Sequence, residues 1–262
     1  MVRGLGWAVL VLSSVAAAQS SSDSTVGPDG TPINKSNFPS DLPSRPIVLP
    51  PGLLGIDARF EGDNASGAWD YTGRLGVTYG FGSGWNASVA AQSDKDGLNQ
   101  AELALTYLWS GNLASTLGAG VCSTAPCVSS TWSADVFAGL PIKLKPWSLP
   151  LSLRALDRVV DVIVPFSSSS GATGGGAKAQ VGIPVSAQFA LLPILAAEAS
   201  LLTILPYGTS KNEVVFWPRG AVIFTTRNFD LGVDVRYSLP AGSSPTTIPN
   251  VFTAGAFLQL RL

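Results

Sequence analysis

The sequence predicts an all-β fold: a transmembrane antiparallel up-and-down β-barrel of about 12 strands, with short turns at one end and longer loops at the other. Three observations carry this. The chain of 262 residues is 13% charged with a mean hydropathy of +0.31, yet beyond its N-terminus it has no apolar run of the length a spanning helix needs, about 18 residues. Its apolar residues alternate with polar or small ones at a period of two. Connections between the alternating runs are short and long by turns.

Met1 to Ala18 reads as a secretory signal peptide, with Arg3 as its positive end, Leu5 to Val15 as its apolar core and Ala16-Ala17-Ala18 before the cleavage point. Residues 19–51 are rich in Ser, Pro, Asn and Asp. Such a segment buries too little apolar surface to offset its own ordering, which predicts a disordered periplasmic tail. The competing reading, a plug folded into the barrel mouth, finds no alternation in these residues to support it.

The barrel is expected over 52–262. Leu75, Val77, Tyr79 and Phe81 alternate with Arg74, Gly76, Thr78 and Gly80, and Phe229, Leu231, Val233, Val235 and Tyr237 alternate with Asp230, Gly232, Asp234 and Arg236. A soluble sandwich would alternate as well. The connections discriminate. Gly82-Ser83-Gly84, Ser110-Gly111-Asn112, Lys145-Pro146-Trp147, Leu192-Pro193 and Thr226-Arg227-Asn228 are short. Gly62 to Trp69, Asp94 to Leu98, Ser123 to Ser130, Ser167 to Gly176, Pro206 to Asn212 and Ala241 to Pro249 are longer, and the two kinds strictly take turns. Tight periplasmic turns and long outer loops give an even strand number with both termini periplasmic.

Ser148 to Phe166 is too long for one regular strand, and its apolar phase slips from odd positions (Leu149, Leu151, Leu153) to even ones (Val160, Val162, Val164). A β-bulge near Asp157–Arg158 accounts for the slip; two strands would break the parity. Glu213 to Thr225 carries Pro218 and Gly220, an irregular strand composition.

Aromatic residues gather at both ends of the expected strands. Phe81, Trp85, Tyr107, Trp109, Trp147, Phe189, Phe224 and Phe229 lie beside the short turns; Phe60, Trp69, Tyr71, Trp132, Phe166, Tyr207, Trp217 and Tyr237 lie beside the long loops. Rings with an apolar body and a polar edge favour headgroup depth, so two girdles follow. The terminal strand alternates Phe252, Ala254, Ala256, Leu258, Leu260 and Leu262 against Thr253, Gly255, Phe257, Gln259 and Arg261. It resembles the assembly-signal strand of bacterial outer-membrane barrels, with Leu262 where an aromatic residue is usual. That resemblance, to the porin-like superfamily in general, implies location in a bacterial outer membrane and contact with its lipid and barrel-assembly machinery.

The face expected to line the lumen carries Asp57, Arg59, Arg74, Glu102, Asp135, Arg154, Lys178, Glu198, Asp230, Asp234 and Arg236, joined by Glu61, Lys143, Lys145 and Arg219. Towards lipid, a midplane Lys or Arg costs about 2–4 kcal/mol, so these side chains must face a wet or mutually paired interior. Small inward residues (Gly76, Gly80, Ser88, Ala90, Gly118, Gly120, Gly182, Ser186, Gly232, Gly255) suggest open space. The expected function is a narrow channel for passive passage of ions or small polar solutes, of weak selectivity because both signs are balanced. The alternative is a non-conducting structural or adhesive barrel acting through its outer loops. Cys122 and Cys127 are expected to bridge one of those loops in an oxidising compartment.

Without histidine, the commonest general base and transition-metal ligand is missing, so no catalytic residue, metal or cofactor is expected. A net charge of -1 gives no basic surface for nucleic acid.

Overall fold

A computed structural model describes residues 24–65, 67–82, 84–123, 132–146, 149–166, 178–207, 214–241 and 251–262. The alternating runs form twelve strands. These are β1 (Leu54–Ala65), β2 (Ala68–Phe81), β3 (Trp85–Asp94), β4 (Gly97–Ser110), β5 (Leu113–Cys122), β6 (Ser133–Gly139 and Ile142–Leu144) and β7 (Leu151–Ala155 and Val160–Pro165). They continue with β8 (Lys178–Leu192), β9 (Leu195–Tyr207), β10 (Val214–Thr225), β11 (Phe229–Tyr237 and Leu239–Ala241) and β12 (Val251–Arg261). Each strand pairs antiparallel with its neighbours in sequence, and β12 closes on β1 from Val251↔Ala65 to Arg261↔Gly55. Closure removes both sheet edges, which hydrocarbon requires because it offers no partner to an open edge.

The period of two sorts the side chains. Leu75, Leu103, Leu117, Val136, Leu231 and Val233 point outward; Leu117 and Val233 are 64% and 61% exposed, as befits side chains that face lipid. Both aromatic groups stand on this outer face. Trp85 packs on Tyr107 and Tyr107 on Trp109 at the short-turn end, with centroids 4.7 and 4.9 Å apart. Phe60 and Trp69 stack on Tyr71 at the other end, 5.6 and 6.4 Å away. Trp217 departs from the expected girdle. It shares the inward parity of Arg219, and the Arg236 guanidinium lies 5.5 Å from its ring centre, so it belongs to the lumen. Its place beside a long loop gave no information about its face. Trp147 and the side chain of Tyr207 lie outside the described residues.

β7 contains the bulge that its slipping phase predicts. Ala155 opposes Val185 and Val160 opposes Val181, so β7 uses one residue more than β8 over this stretch. Leu156 takes φ 63, a left-handed conformation strained for a branched side chain, while Leu156 N–H still donates to Pro184 O at 3.0 Å and Val159 N–H to Ala138 O at 2.8 Å. The ladder survives on both sides, and Asp157 and Arg158 are left to turn inward.

The expectation of a disordered tail over 19–51 is corrected by residues 24–53, which form an ordered strap. Thr25–Val26 pairs with Pro32–Ile33, and two 3₁₀ turns follow, Lys35–Asn37 capped by Asn34 and Leu42–Ser44 capped by Asp41. Val48 is fully buried against Leu108 and Ala114; Leu42 packs against the cluster of Ala196, Ala221 and Ile223. The strap thus lies in the short-turn mouth of the barrel. Its own apolar cluster, Ile33 and Phe38 with Leu53, is small, and the barrel interior supplies further partners. Residues 1–18, the expected signal peptide, lie outside the described residues.

Candidate functional site

The interior of the barrel is where the charged side chains converge. Asp57 and Arg59 enter from β1, Arg74 from β2, Glu102 from β4, Asp135 from β6, Arg154 from β7, Glu198 from β9, and Asp230, Asp234 and Arg236 from β11. The side chain of Lys178, which opens β8, lies outside the described residues, as does Cys127; its expected partner Cys122 ends β5, fully buried.

Two hydrogen-bonded chains run around the wall. In the first, Ser152 of β7 donates to Gln188 at 3.2 Å and Gln188 to Glu198 at 2.9 Å. Arg219 of β10 then bridges Glu198 and Asp234 at 2.8 and 2.7 Å, and Arg59 donates to Asp234 at 2.6 Å. Arg59 and Arg236 meet again on Glu61. This chain passes from β7 through β8, β9, β10 and β11 to β1. In the second, Arg74 of β2 pairs with Glu102 of β4, and Glu102 with Arg158 of β7 at 3.2 Å. Arg158 also holds Asp135 and Asp161, and Gln180 of β8 donates to Asp161 at 3.2 Å. Together they make a polar belt with members on nine of the twelve strands. Unpaired, these ions would be expensive in so enclosed a space; paired and multiply hydrogen-bonded, they hold one another in place.

Arg158 ties the second chain together, and no sequence pattern marked it, because the bulge that turns it inward also breaks the parity that would have revealed it. Its guanidinium lies 3.9 Å from the centre of the Phe137 ring. Phe257 sits likewise beneath Arg59 and Arg219, at 5.9 and 6.0 Å.

The small inward residues do not mark open space. Gly118 opposes Phe137 directly and Gly232 opposes Phe257, and in each pair the ring fills the volume a Cβ would need. Asp57 covers Gly76, and the backbone of Leu49 and Pro50 presses on Gly80. These glycines are seats for neighbouring groups.

At the short-turn mouth, Arg45 of the strap enters the barrel. Its guanidinium donates to Asp230 at 2.6 and 3.0 Å, to Thr226 O at 3.0 Å and to Ser40 O at 2.9 Å. Arg261 of β12 reaches the same carboxylate, and the Phe38 ring lies against both guanidiniums, 5.7 and 5.3 Å away. Lys143, 2% exposed, donates to Leu42 O at 3.0 Å, and Lys145 reaches Ser44 and, at 3.9 Å, Asp29. Asp29 also accepts from the Thr31 hydroxyl at 2.6 Å, which holds its carboxyl below the usual range, helped by Lys145. Arg45 was missed for the same reason as the strap: nothing nearby in sequence tells it where to dock.

The architecture has solved counterparts. The structure of the NanC porin superposes with a TM-score of 0.58 at 12% identity, covering 79% of this chain and 100% of that one. An outer-membrane channel from Pseudomonas putida F1 gives 0.54 at 11% identity over 82% of this chain and 97% of that one. The KdgM porin in complex with disordered oligogalacturonate gives 0.50 at 12% identity over 79% and 98%. No protein-family model matches the sequence, and no curated protein does. The chain therefore shares the closed antiparallel β-barrel fold of these structures.

Proposed function

We propose that this chain is a channel of a bacterial outer membrane, passing small polar solutes or ions down their gradients through a narrow lumen. The observation that carries this reading is the belt of ion pairs. In the first chain the charges bond along the wall from β7 to β11 strand by strand, and Arg59 of β1 reaches past β12 to Asp234; a barrel closed by side-chain packing would fill its centre with apolar groups. A lumen lined by paired charges of both signs offers a partly dehydrated solute successive donors and acceptors, and it discriminates weakly by charge. The solved channels of the same fold support the general activity. They do not indicate a solute.

In this reading the apolar band lies in lipid, and the strap and short turns face the periplasm. The test is single-channel recording of the purified full chain in a planar bilayer. Discrete conductance steps are expected, small because the belt narrows the path. A membrane that stays silent at high protein load, with the barrel shown to be folded by gel mobility, would overturn the reading.

A further inference from the structure

We infer that residues 24–48 are a detachable gate, which closes the periplasmic mouth through Arg45 and leaves it by pivoting at Pro50–Gly52. This rests on the channel reading above. Three features of the docked strap point to it, its hydrogen bonding, its charge pairing and its hinge.

The strap is locally self-sufficient in hydrogen bonds. Gly27 and Gly30 close its first turn, with Gly27 N–H on Thr31 O at 2.8 Å and Gly30 N–H on Gly27 O at 3.0 Å. Asn34 caps one 3₁₀ turn and Asp41 the other. Undocked, it keeps these bonds.

Its departure leaves Asp230 paired and takes from Lys143 its hydrogen bond to Leu42 O. Asp230 is held by Arg45 from the strap, but also by Arg261 and by Thr225 from the barrel, the latter at 2.8 Å. When Arg45 leaves for water, Asp230 keeps two barrel partners. Losing the sole partner of a buried ion is the step that normally locks such a contact, and for Asp230 it is avoided. Lys143 gives up one backbone carbonyl, that of Leu42, and Lys145 gives up groups that are themselves partly exposed. Two guanidiniums on one carboxylate also leave a surplus positive charge in the closed state, which release relieves.

Apolar burial is what release must overcome. Ile33 and Phe38 are buried with Leu53, Val48 is buried against Leu108 and Ala114, and Leu42 packs on the cluster of Ala196, Ala221 and Ile223.

The chain has a fixed hinge just beyond the strap. Gly52 N–H donates to Gly80 O at 2.8 Å and Gly80 N–H to Leu53 O at 3.0 Å, clamping the Pro50–Leu53 turn to β2. Gly52 takes φ +76, which suits glycine, and Gly80 admits the Leu49–Pro50 backbone where any side chain would collide. Motion about this clamp frees everything before it and disturbs no barrel ladder.

The test compares three full-barrel proteins in planar bilayers: the intact chain, Arg45→Gln, and a deletion of residues 24–48. We expect the deletion to show steps at least about three-fold larger, or continuous opening, and Arg45→Gln to raise the open fraction about ten-fold, the loss of one charge-assisted contact. Equal steps and open fractions in all three overturn the gate and leave the channel standing; silence in all three removes the channel reading and the gate with it. Should the deletion fail to fold, amide exchange on the intact chain in detergent decides. Strap amides exchanging about 100-fold or more faster than the barrel ladders support a gate, and equal protection overturns it.

Discussion

Arg158, turned inward by the bulge of β7, bonds Glu102 of β4 at 3.2 Å, so one side chain ties together strands three places apart around the wall. The same guanidinium holds Asp135 and Asp161. Replacing it by alanine leaves three carboxylates to Arg74, Gln100 and Gln180. We expect Arg158→Ala to destabilise the barrel by on the order of 3 kcal/mol, read as a lower heat-modifiability midpoint. Its conductance should be larger and shifted towards cations, measured by reversal potential in a salt gradient. Unchanged selectivity would show that Arg158 stands off the path.

Gly232 and Phe257 test the seating of rings on glycine. A methyl group at 232 collides with the Phe257 ring, which also lies beneath Arg59 and Arg219. Gly232→Ala should cost about 1–3 kcal/mol as an overpacked contact. Adding Phe257→Leu should recover part of that loss, and a double-mutant cycle on denaturant midpoints measures the coupling. Additive effects would disprove it.

The sidedness of β4 predicts opposite outcomes one residue apart. Leu103 is exposed on the lipid face, whereas Glu102 belongs to the belt. Leu103→Lys should lose about 2–4 kcal/mol, the cost of a midplane cation, and should appear as poor insertion into liposomes. Glu102→Gln should insert normally and alter conductance.

Acid should loosen the strap in a defined direction. The Asp29 carboxyl lies below its ordinary value because the folded strap hydrogen-bonds its charged form. A depressed carboxyl stabilises the fold above its unfolded pKa and loses that contribution as pH falls through the folded value. The effect is therefore confined below about pH 4, and Asp29→Asn should abolish it. Proteolysis of the strap by pepsin across that range, in wild type and variant, is the measurement.

The barrel was legible in the sequence because its two strongest determinants are one-dimensional. A period of two assigns each residue to lipid or lumen, and the alternation of short and long connections gives an even strand number, so β1 to β12 and the bulge of β7 follow without knowledge of any long-range contact. The lumen charges from Asp57 to Arg236 follow from the same parity. Parity fails wherever a residue leaves the regular strand or stands outside the sheet. Arg158 sits in a bulge, Trp217 could be placed by strand end but not by face, and each glycine reads as empty until the ring opposite it is known.

The strap was the hardest to foresee, since Arg45 meets Asp230 across 185 residues of chain. Sequence by itself determined that a closed barrel forms and which side chains turn inward, because alternation is a local property of strands. Only the tertiary structure decided what fills the interior, because a polar segment whose own apolar cluster is small is held by partners that closure alone brings within reach.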